Sequence, residues 1–588
     1  MTITEVQNTL RRWSATRETP GANVTGRWDI AFVAGAVIVS FVLYLWGLGF
    51  YSDDWAFLGS LHIFGDHSMV GRSELIDWAM YFRQRPVQIP FQQLLFWAFG
   101  LNPLGYHLTN SLLLTAMAVM MHLVLRQLAI WRPLALALPV IFALLPHYST
   151  DRYWFAAFGY VLSMALFFLS VYADLRGARS VSNPLKWKLL ALIALLASAL
   201  NYEVAIPLFL LSTPLIALRY RTLPDGPGRA GWAWRNRSWL IVGNVVAIAG
   251  VVIFKAIVTA GAPETPDDLL LHVARLGIGS IAINFGSLGI GLPQAVLWAA
   301  REASPTILIV GALLAVTVAL YMWMVIMRTP EPFPTSAFWG SIILAGFVVF
   351  VASYAIFIPT ERILFTSTGI ANRVGIAGAV GVAFVFVGVL GWLCRVVLPP
   401  GGWRASGFAA GVSGLALAGF LLVNVQGAQW GQAWSEQRAV LGEVREDLQA
   451  PEPETVVIID GVCPYVGGAI VFESNWDVTG ALQVTFGDPT LMGDVASANL
   501  TIGEDGLSTV LYGSLEAHYR FGPHLFLLDS RSAALAPIPD EDVARRVLNV
   551  DASKESACTR GAAGYGTTIL PLDQRYRRLE DRFLWSGG

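Results

Sequence analysis

The chain has little charge for its length and almost no lysine. Only 14% of its 588 residues are charged, where roughly 25% is usual in soluble proteins. Lysine occurs only at Lys186, Lys188, Lys255 and Lys554, and the formal net charge is −2. The mean hydropathy of +0.56 excludes an ordinary soluble protein. The balanced charge gives no indication of a nucleic-acid partner.

Cysteine is equally scarce. Cys394 lies in an apolar run, whereas Cys463 and Cys558 lie beyond the last such run. A disulfide between the latter two is expected if they share an oxidising compartment, and two unpaired thiols are the alternative. His and Cys show no spacing typical of a zinc site. No small-residue cleavage site follows the first apolar run, so residues 1–27 are interpreted as a cytoplasmic segment and not as part of a removed signal peptide.

Long apolar runs are abundant. A membrane-spanning helix needs about 20 mostly apolar residues, or fewer where protein surrounds it. Eleven segments qualify: residues 28–50, 107–127, 133–147, 155–173, 187–200, 203–218, 239–258, 306–327, 338–358, 374–394 and 405–424. We therefore predict a polytopic α-helical membrane protein with about eleven transmembrane helices within residues 28–424.

Arginine and lysine predict the orientation of the first six spans. The loops at 126–132, 176–188 and 219–237 carry basic residues, whereas the alternate loops around Asp151 and Glu203 carry only Arg152. Cytoplasmic loops hold the excess of positive charge, so the N-terminus is predicted to lie inside.

The segment 276–299 is also apolar, but it contains five glycines and Pro293. This composition favours a re-entrant or surface-lying segment over a regular span. An odd number of spans then places residues 425–588 outside the cytoplasm. Their composition is that of a soluble domain, and strands are predicted at 455–460, 468–472, 482–486 and 524–529. We expect a C-terminal soluble mixed α/β domain.

An acidic pair, Asp53 and Asp54, follows the first span at the start of a long outer loop, residues 51–106. Charge at the edge of hydrocarbon is costly, so the pair indicates a functional site. A carboxylate there can act as a general base towards a hydroxyl. The alternative is that the pair only marks a helix end. In the same loop, segments 54–65 and 87–100 are predicted to lie along the interface as short helices that roof a cavity.

Two further carboxylates fall on the same predicted face. Asp151 follows the third span and Glu203 follows the fifth. Three acidic loops on one face suit an acid/base site, or a divalent cation held by Asp53, Asp54 and Asp151. Each acid also has a structural alternative: Asp151 could pair with the adjacent arginine, and Glu203 could cap a helix.

Candidate substrate-binding residues surround these acids. Arginine can clamp phosphate oxygens through its planar fork. His107 and Asn110 share one helical face and could hold a head group or simply pack. The tryptophans at 430, 434 and 476 could stack on sugars or belong to the interfacial aromatic belt. The candidate substrate-binding residues are Arg83, Arg85, His107, Asn110, His147, Arg152, Glu203, Arg362 and Arg373.

An ordered set of segments carries a family resemblance. The segments are YSDDW (51–55), RPVQ (85–88), GLNPLGYHLTN (100–110), LLPHYSTDRYWFAAFGYVLSMALFFLS (144–170) and NYEVAIPLFLL (201–211). Together they resemble the membrane glycosyltransferases of the GT-C superfamily, in particular the protein O-mannosyltransferase-like and bacterial polyprenyl-phosphate-sugar-dependent branch. The resemblance covers roughly the first 220 residues, and its strength lies in the order of the segments.

The resemblance implies an inverting transfer of a sugar from a polyprenyl-phosphate donor. The acceptor would be a cell-envelope glycan, a lipid or a protein at the extracytoplasmic face of the bacterial inner (plasma) membrane. It implies that Asp53 or Asp54 is the catalytic aspartate and that Asp151 is the second acidic residue. Tyr202 stands where the family often has a lysine before Glu203. The C-terminal domain matches no family motif, which leaves the acceptor open.

Two other function classes compete with this interpretation. A transporter or flippase of a lipid-linked glycan would carry charges along a path through its spans, whereas these carboxylates gather at one surface. A polymerase or ligase that uses polyprenyl-diphosphate-linked chains would rely on arginines in a large outer loop. The distribution of charge favours an interfacial enzyme.

Overall fold

Long apolar helices precede a smaller domain that contains β-sheets. The computed structural model describes residues 22–63, 83–179, 183–222, 230–258, 269–359, 365–497, 499–511, 514–532 and 534–548. Arg362, one of the predicted site residues, and Cys558 lie outside these ranges.

The first sixteen helices are numbered in chain order. They are α1 (Ala22–Val42), α2 (Asp53–Ile63), α3 (Gln88–Phe99), α4 (Pro103–Gln127), α5 (Arg132–Leu144), α6 (Thr150–Tyr153), α7 (Phe158–Arg179), α8 (Pro184–Asn201), α9 (Ile206–Thr222), α10 (Ala230–Val258), α11 (Leu269–Ile281), α12 (Leu292–Glu302), α13 (Pro305–Arg328), α14 (Ser336–Tyr354), α15 (Ile376–Val397) and α16 (Gly402–Asp447).

Among the described residues, ten helical segments are long and apolar enough to cross a bilayer. Nine of them correspond to predicted spans, and the tenth is Leu269–Ile290. The two remaining predicted spans, 133–147 and 203–218, correspond to the shorter apolar helices Arg132–Leu144 and Glu203–Ile216. The predicted class is confirmed: a polytopic α-helical membrane protein followed by a C-terminal region of strands and helices.

Helix α5 is short because protein surrounds it. Residues 133–144 are all buried. Gly419 of α16 lies so close that a Cβ placed there would be 2.3 Å from the carbonyl oxygen of Leu144. The helix ends where Leu145 turns extended, with ψ 135°. This is the conformation expected of a residue that precedes a proline, here Pro146.

Polar contacts mark the two ends of the helix bundle. At one end, Asp29 of α1 accepts hydrogen bonds from Arg132 of α5 and from Tyr321 of α13, both at 2.8 Å. At the other end, Lys255 of α10 donates to Glu203 at 2.6 Å. We call the end that holds Glu203 the site end, because the candidate residues gather there.

The segment 269–302 starts and finishes at the site end. The preceding α10 finishes there, and the following α13 runs from there to Tyr321 at the opposite end. Midway along the segment, the carbonyl of Asn284 contacts His147 Nε2 at 3.1 Å, also at the site end. Asn284 belongs to a π-helical stretch, Ala282–Ile290, that interrupts the helix. A segment that returns to the side it left fits the re-entrant or surface-lying interpretation.

Helix α16 joins the membrane part to the C-terminal domain. Its 46 residues extend about 69 Å at 1.5 Å per residue, roughly twice the 30 Å hydrocarbon core. The helix therefore continues past residue 424, where the last span was predicted to end, and its projecting half carries the domain.

The C-terminal domain contains nine strands and two helices among its described residues. The strands are β1 (Val456–Asp460), β2 (Tyr465–Val466), β3 (Ala469–Ile470), β4 (Met492–Val495), β5 (Leu500–Ile502), β6 (Gly506–Leu511), β7 (Ser514–Arg520), β8 (Leu525–Asp529) and β9 (Ala534–Pro537), and the helices are α17 (Asn475–Phe486) and α18 (Glu541–Val547). The main sheet has the order β4-β1-β8-β9, with β4, β1 and β8 parallel. β1 is buried at every position, as is typical of parallel strands that are covered on both faces.

The prediction of a strand at 482–486 is wrong. These residues form the last turns of α17. A capping box of Ser474 and Asp477 starts this helix, and Gly487 ends it in the left-handed conformation with φ 68°. The alternating apolar residues imitate a strand, but the start and stop signals around them favour a helix.

Helix α2 packs against the C-terminal domain. Trp55 Nε1 donates to Gln437 Oε1 of α16 at 3.0 Å, and Gln437 Nε2 donates to the Val471 carbonyl at 2.6 Å. Residues 54–59 are all buried. The prediction that 54–65 lies along the lipid interface is therefore wrong for this helix. Helix α3 does expose apolar side chains, among them Leu94 and Trp97.

The cysteines behave differently in the two parts. Cys394 is a buried free thiol in α15, whereas Cys463 in the C-terminal domain is disulfide-bonded. Its predicted partner, Cys558, lies outside the described residues.

Candidate active site

The candidate site is built on the turn between α1 and α2. Ser52 has φ 46°, a left-handed conformation that residues other than glycine seldom adopt. It leads directly into α2, whose first two residues are the acidic pair. Asp53 is half-buried and Asp54 is fully buried. The two consecutive carboxylates therefore have different surroundings.

Backbone donors occupy both oxygens of Asp54. Oδ2 accepts from the Tyr51 N–H at 3.0 Å, and Oδ1 accepts from the Ala156 N–H at 2.6 Å. Burial raises the pKa of Asp54 well above its usual range, although these backbone hydrogen bonds oppose the rise. Asp54 therefore ties the first outer loop to the segment that follows Asp151.

The carboxylate of Asp53 is different. Among the described residues, no hydrogen bond to it is found, and the Asp53 residue as a whole is partly exposed. Burial raises the pKa of Asp53, and the positive charge of Arg373 opposes this rise. The proton affinity of Asp53 therefore exceeds that of an ordinary surface aspartate.

Asp151 is fully buried, and within the described part of the chain neither of its carboxylate oxygens has a hydrogen-bond partner. Burial raises the pKa of Asp151 well above its usual range, and Arg373 and Arg152 oppose the rise. Asn110 Nδ2 fixes the local backbone by donating to the Asp151 carbonyl at 2.7 Å. An unsatisfied buried carboxylate is costly, which makes Asp151 a candidate for function.

Arg373 is the positive group that Asp53 and Asp151 share. It lies in the 3-10 turn Ile370–Gly375, with its guanidinium carbon 4.9 Å from the centre of the Trp154 ring. The neighbouring Asn372 anchors this turn, because its Oδ1 accepts from the Thr150 N–H at 3.3 Å. The anchor keeps Arg373 next to the segment that carries Asp151.

A second charged cluster surrounds Glu203. Its carboxylate accepts from Lys255 Nζ at 2.6 Å and from Arg85 Nε at 3.3 Å. The Arg85 guanidinium also lies 3.8 Å from the centre of the Tyr202 ring. One carboxylate between two cations leaves this cluster with a net positive charge.

Two tyrosines lie between the clusters. The hydroxyls of Tyr160 and Tyr202 lie 2.7 Å apart, and Tyr160 is close enough to Arg373 to interact with its charge. A row of side chains therefore extends from the neighbourhood of Asp53 to that of Glu203. Its members are Arg373, Tyr160, Tyr202 and Arg85.

Four other predicted site residues have different surroundings. His107 is buried, and its Nε2 contacts the Gly49 carbonyl at 2.7 Å. Burial lowers the pKa of His147 to about 4, so this side chain is neutral. Arg152 is buried with Nη1 3.3 Å from Ser40 Oγ. Arg83 is exposed. The structure does not gather these four residues around Asp53.

The sequence did not predict the contribution of the C-terminal domain. Glu473 accepts a hydrogen bond from Ser52 Oγ, and its other oxygen accepts from Tyr465 at 2.7 Å. Trp476 Nε1 donates to Ser52 Oγ at 3.3 Å. Trp430 is buried edge-on against Tyr51, with ring centres 4.7 Å apart, and so is part of neither an interfacial belt nor an open sugar platform.

Lys255 was missed as well, although a lone lysine near the end of an apolar run is a recognisable signal. The contact between Glu473 and Ser52 had a weaker signal in the sequence. The capping box at 474–477 predicts where a helix starts, but it does not predict which residues lie next to that helix.

The described part of the chain offers no clear set of metal ligands. Among the described residues, no group of three or more His, Cys, Asp or Glu side chains is arranged to hold a metal ion. Of the three aspartates predicted as ligands, Asp54 directs both oxygens at backbone N–H groups.

Two solved structures are similar to this chain: crystal structures of ArnT from Cupriavidus metallidurans, in the apo state and bound to undecaprenyl phosphate. The apo structure has 16% identity and a TM-score of 0.35, with 80% of this chain and 86% of that chain covered. The undecaprenyl phosphate complex has 15% identity and a TM-score of 0.35, covering 79% and 85%. No protein-family model and no curated protein matches the sequence. A likeness at this TM-score carries no argument about residues or substrate.

Proposed function

We propose that the protein is a membrane glycosyltransferase. It transfers a sugar from a polyprenyl-phosphate donor to a hydroxyl of a cell-envelope glycan, lipid or protein, with Asp53 as the general base. The observation that carries this proposal is the contrast within the acidic pair: Asp54 is fully engaged by backbone donors, whereas Asp53 is accessible and faces the charge of Arg373.

A general base must be reachable and must have a proton affinity suited to its task. Asp53 meets the first condition because the residue is only partly buried and no hydrogen bond from the described residues occupies its carboxylate. It meets the second because burial raises its pKa towards the working pH, where general-base catalysis is most effective. Asp151 lies deeper and also lies in the field of Arg373.

The proposed reaction is one displacement. Asp53 takes the proton of the acceptor hydroxyl. At the same time, the oxygen of that hydroxyl bonds to the anomeric carbon of the donor sugar. The bond from that carbon to the phosphate oxygen breaks, and its electron pair leaves with polyprenyl phosphate. A single displacement inverts the anomeric centre. Negative charge grows on the phosphate, so Arg373, Arg85 and Lys255 supply the compensating cations.

The position in the bundle suits a lipid-borne donor. α1 ends at Val42 and α2 begins at Asp53, so the carboxylate lies just beyond the end of a membrane-spanning helix. The polyprenyl tail can then remain in the bilayer while its head group reaches the base. Since Arg126 and Arg132 lie at the opposite end, which the positive-inside rule makes cytoplasmic, the site end and the C-terminal domain face outwards.

Transport is less well supported. A transport path needs charged groups that exchange partners within the spans. Asp29 accepts a hydrogen bond from Arg132. Asp174 accepts hydrogen bonds from Lys188 at 2.8 Å and from Asn244 at 2.6 Å. Both acids are therefore fixed in buried pairs that suit helix packing.

The test uses purified protein in nanodiscs with a panel of polyprenyl-phosphate sugars and a mixed pool of envelope acceptors, with free polyprenyl phosphate as the readout. The wild-type protein should release polyprenyl phosphate with at least one donor, and Asp53→Asn should abolish the release. Asp447→Asn, the same change at an exposed position on α16, is the matched control and should retain full activity. Release by Asp53→Asn at the wild-type rate would refute the assignment of the base.

A further inference from the structure

The turn that carries Asp53 is held in a rarely adopted backbone conformation. Ser52 has φ 46° and is 1% exposed. A non-glycine residue stays in this conformation only where its surroundings hold it there. What holds Ser52 therefore determines where Asp53 points.

The membrane part fixes the residues on either side of this pair. Trp154 Nε1 donates to the Tyr51 carbonyl at 2.8 Å, and Asp54 accepts from the Tyr51 N–H. Neither contact reaches the side chain of Ser52.

The C-terminal domain holds the Ser52 side chain. Its hydroxyl donates to Glu473 and accepts from Trp476 Nε1 at 3.3 Å. These partners follow Ser52 by 421 and 424 positions in the chain. Both belong to the turn that starts α17, and we call residues 473–477 the clamp turn.

The clamp turn is itself rigid. Buried Asp477 accepts from the backbone N–H groups of Glu473 at 2.8 Å, of Ser474 at 3.2 Å and of Val478 at 2.8 Å. The second oxygen of Glu473 accepts from Tyr465 at 2.7 Å. A side chain fixed at its backbone and at both oxygens can hold its partner in one position.

We infer that Glu473 is a positioning residue, which holds Ser52 and thereby aims the Asp53 carboxylate at the acceptor hydroxyl. The inference rests on the proposed function for Asp53. It makes the C-terminal domain a component of the active site. Hydrogen bonds from Ser52 and Tyr465 hold the two oxygens of Glu473 in place.

The kinetic test compares Glu473→Ala with Glu473→Gln in the full-length protein. Glu473→Ala removes the oxygen that accepts the hydrogen bond from Ser52. This change should lower kcat about 10- to 100-fold, the usual effect of misplacing a reacting group, while the KM for the sugar donor changes less than about twofold. Glutamine keeps an oxygen for the Ser52 hydroxyl and should restore most of the lost rate. Glu504→Ala and Glu504→Gln, at an exposed position of the same domain, are matched controls that should behave as wild type.

Two kinetic results would overturn the inference. One is an unchanged kcat in Glu473→Ala. The other is a Glu473→Gln rate as low as that of Glu473→Ala, because the charge and not the hydrogen bond would then be what matters. Trp476→Phe, which removes the N–H donor to Ser52 together with part of the ring system, should give a smaller fall in kcat in the same direction.

Hydrogen exchange provides a readout that does not depend on turnover. The backbone N–H groups of Asp54 and Trp55 bond to the carbonyls of Tyr51 and Ser52. In Glu473→Ala the peptide that covers residues 49–58 should exchange faster than in wild type, whereas peptides from α5 should not change. Unchanged exchange at 49–58 would overturn the positioning role. If no donor supports turnover by the wild type, the proposed function fails, and the exchange result still decides whether Glu473 holds the turn.

Discussion

Gly59 and Gly480 meet where α2 crosses α17, and a Cβ built on Gly59 would lie 3.1 Å from the Gly480 Cα. A Cβ built on Gly480 would lie only 2.4 Å from the Trp55 carbonyl oxygen. Since neither backbone leaves room for a side chain, the helix that begins with Asp53 is pressed directly against the C-terminal domain.

This crossing predicts that Gly480→Ala displaces α2 and impairs transfer. The added methyl group meets backbone that cannot rotate away, and overpacking of this kind costs about 1–3 kcal/mol. We expect a lower thermal midpoint together with a lower kcat. The control is Gly442→Ala in α16, where a Cβ would meet nothing within 4 Å. Wild-type stability and rate in Gly480→Ala would show that the two helices can separate freely.

Much of the fold could be predicted because length and hydropathy decide it. Long apolar runs have few alternatives to spanning helices, and even the short α5 was recognised by its apolar sequence. The prediction of a strand at 482–486 was wrong because a five-residue alternating pattern is a weaker signal than a capping box together with a glycine that ends the helix. The packing of α2 against α17 could not be predicted, since it depends on two glycines far apart in the chain.

The site was predictable only in part, and for a related reason. Asp53, Asp151 and Arg373 stand out as charges beside apolar runs, and the structure brings them into one electrostatic neighbourhood. Glu473 lies in a domain with ordinary charge content, where one more glutamate carries no signal. Long-range contacts of this kind require the three-dimensional structure.

Asp53 and Asp54 should differ sharply when each is replaced by asparagine. Asp53→Asn should fold normally and lose about 10²- to 10⁴-fold in rate, as expected for removal of a general base. Asp54→Asn should lose about 1–3 kcal/mol of stability, because an amide NH₂ group would face the backbone donors of Tyr51 and Ala156. Thermal unfolding and transfer assays on both variants check this. Equal stabilities would contradict the structural role of Asp54.

The acidic limb of the pH–rate profile should report Asp53. A base must be deprotonated, so activity should fall as the pH drops through its pKa, which burial raises above the usual value of about 3.9. Arg373 opposes that rise, so Arg373→Gln should raise the pKa of Asp53 further and move the limb to higher pH. Arg445→Gln, at an exposed position of α16, is the control. If the acidic limb stays in place or moves to lower pH in Arg373→Gln, the proposed effect of the Arg373 charge on the pKa of Asp53 is contradicted.

Asp151 should carry a stability cost that grows with pH. Burial raises its folded-state pKa well above the unfolded value, so the folded state binds the proton more tightly. The stabilisation that comes from this tighter proton binding is present below the unfolded-state pKa. It is lost as the pH rises towards the folded-state pKa. Asp151→Asn should therefore raise the thermal midpoint at pH 8 more than at pH 4 while it lowers activity. The control Asp447→Asn should show no such pH dependence, and an equal gain at both pH values would contradict the buried-charge explanation.

Lys255 should act on the donor through the Glu203 cluster. It donates to Glu203 at 2.6 Å and to the Gln84 carbonyl at 2.8 Å, so it fixes the loop that carries Arg85 and supplies one of the cluster's two cations. Lys255→Met should raise the donor KM, because a phosphate would lose a cation. A double-mutant cycle with Glu203→Gln should give a coupling of about 0.5–3 kcal/mol in thermal unfolding. Lys186→Met, at an exposed position of α8, is the matched control and should change neither quantity. If Lys255→Met left the donor KM unchanged and showed no coupling to Glu203→Gln, the cluster would have no part in binding the donor phosphate.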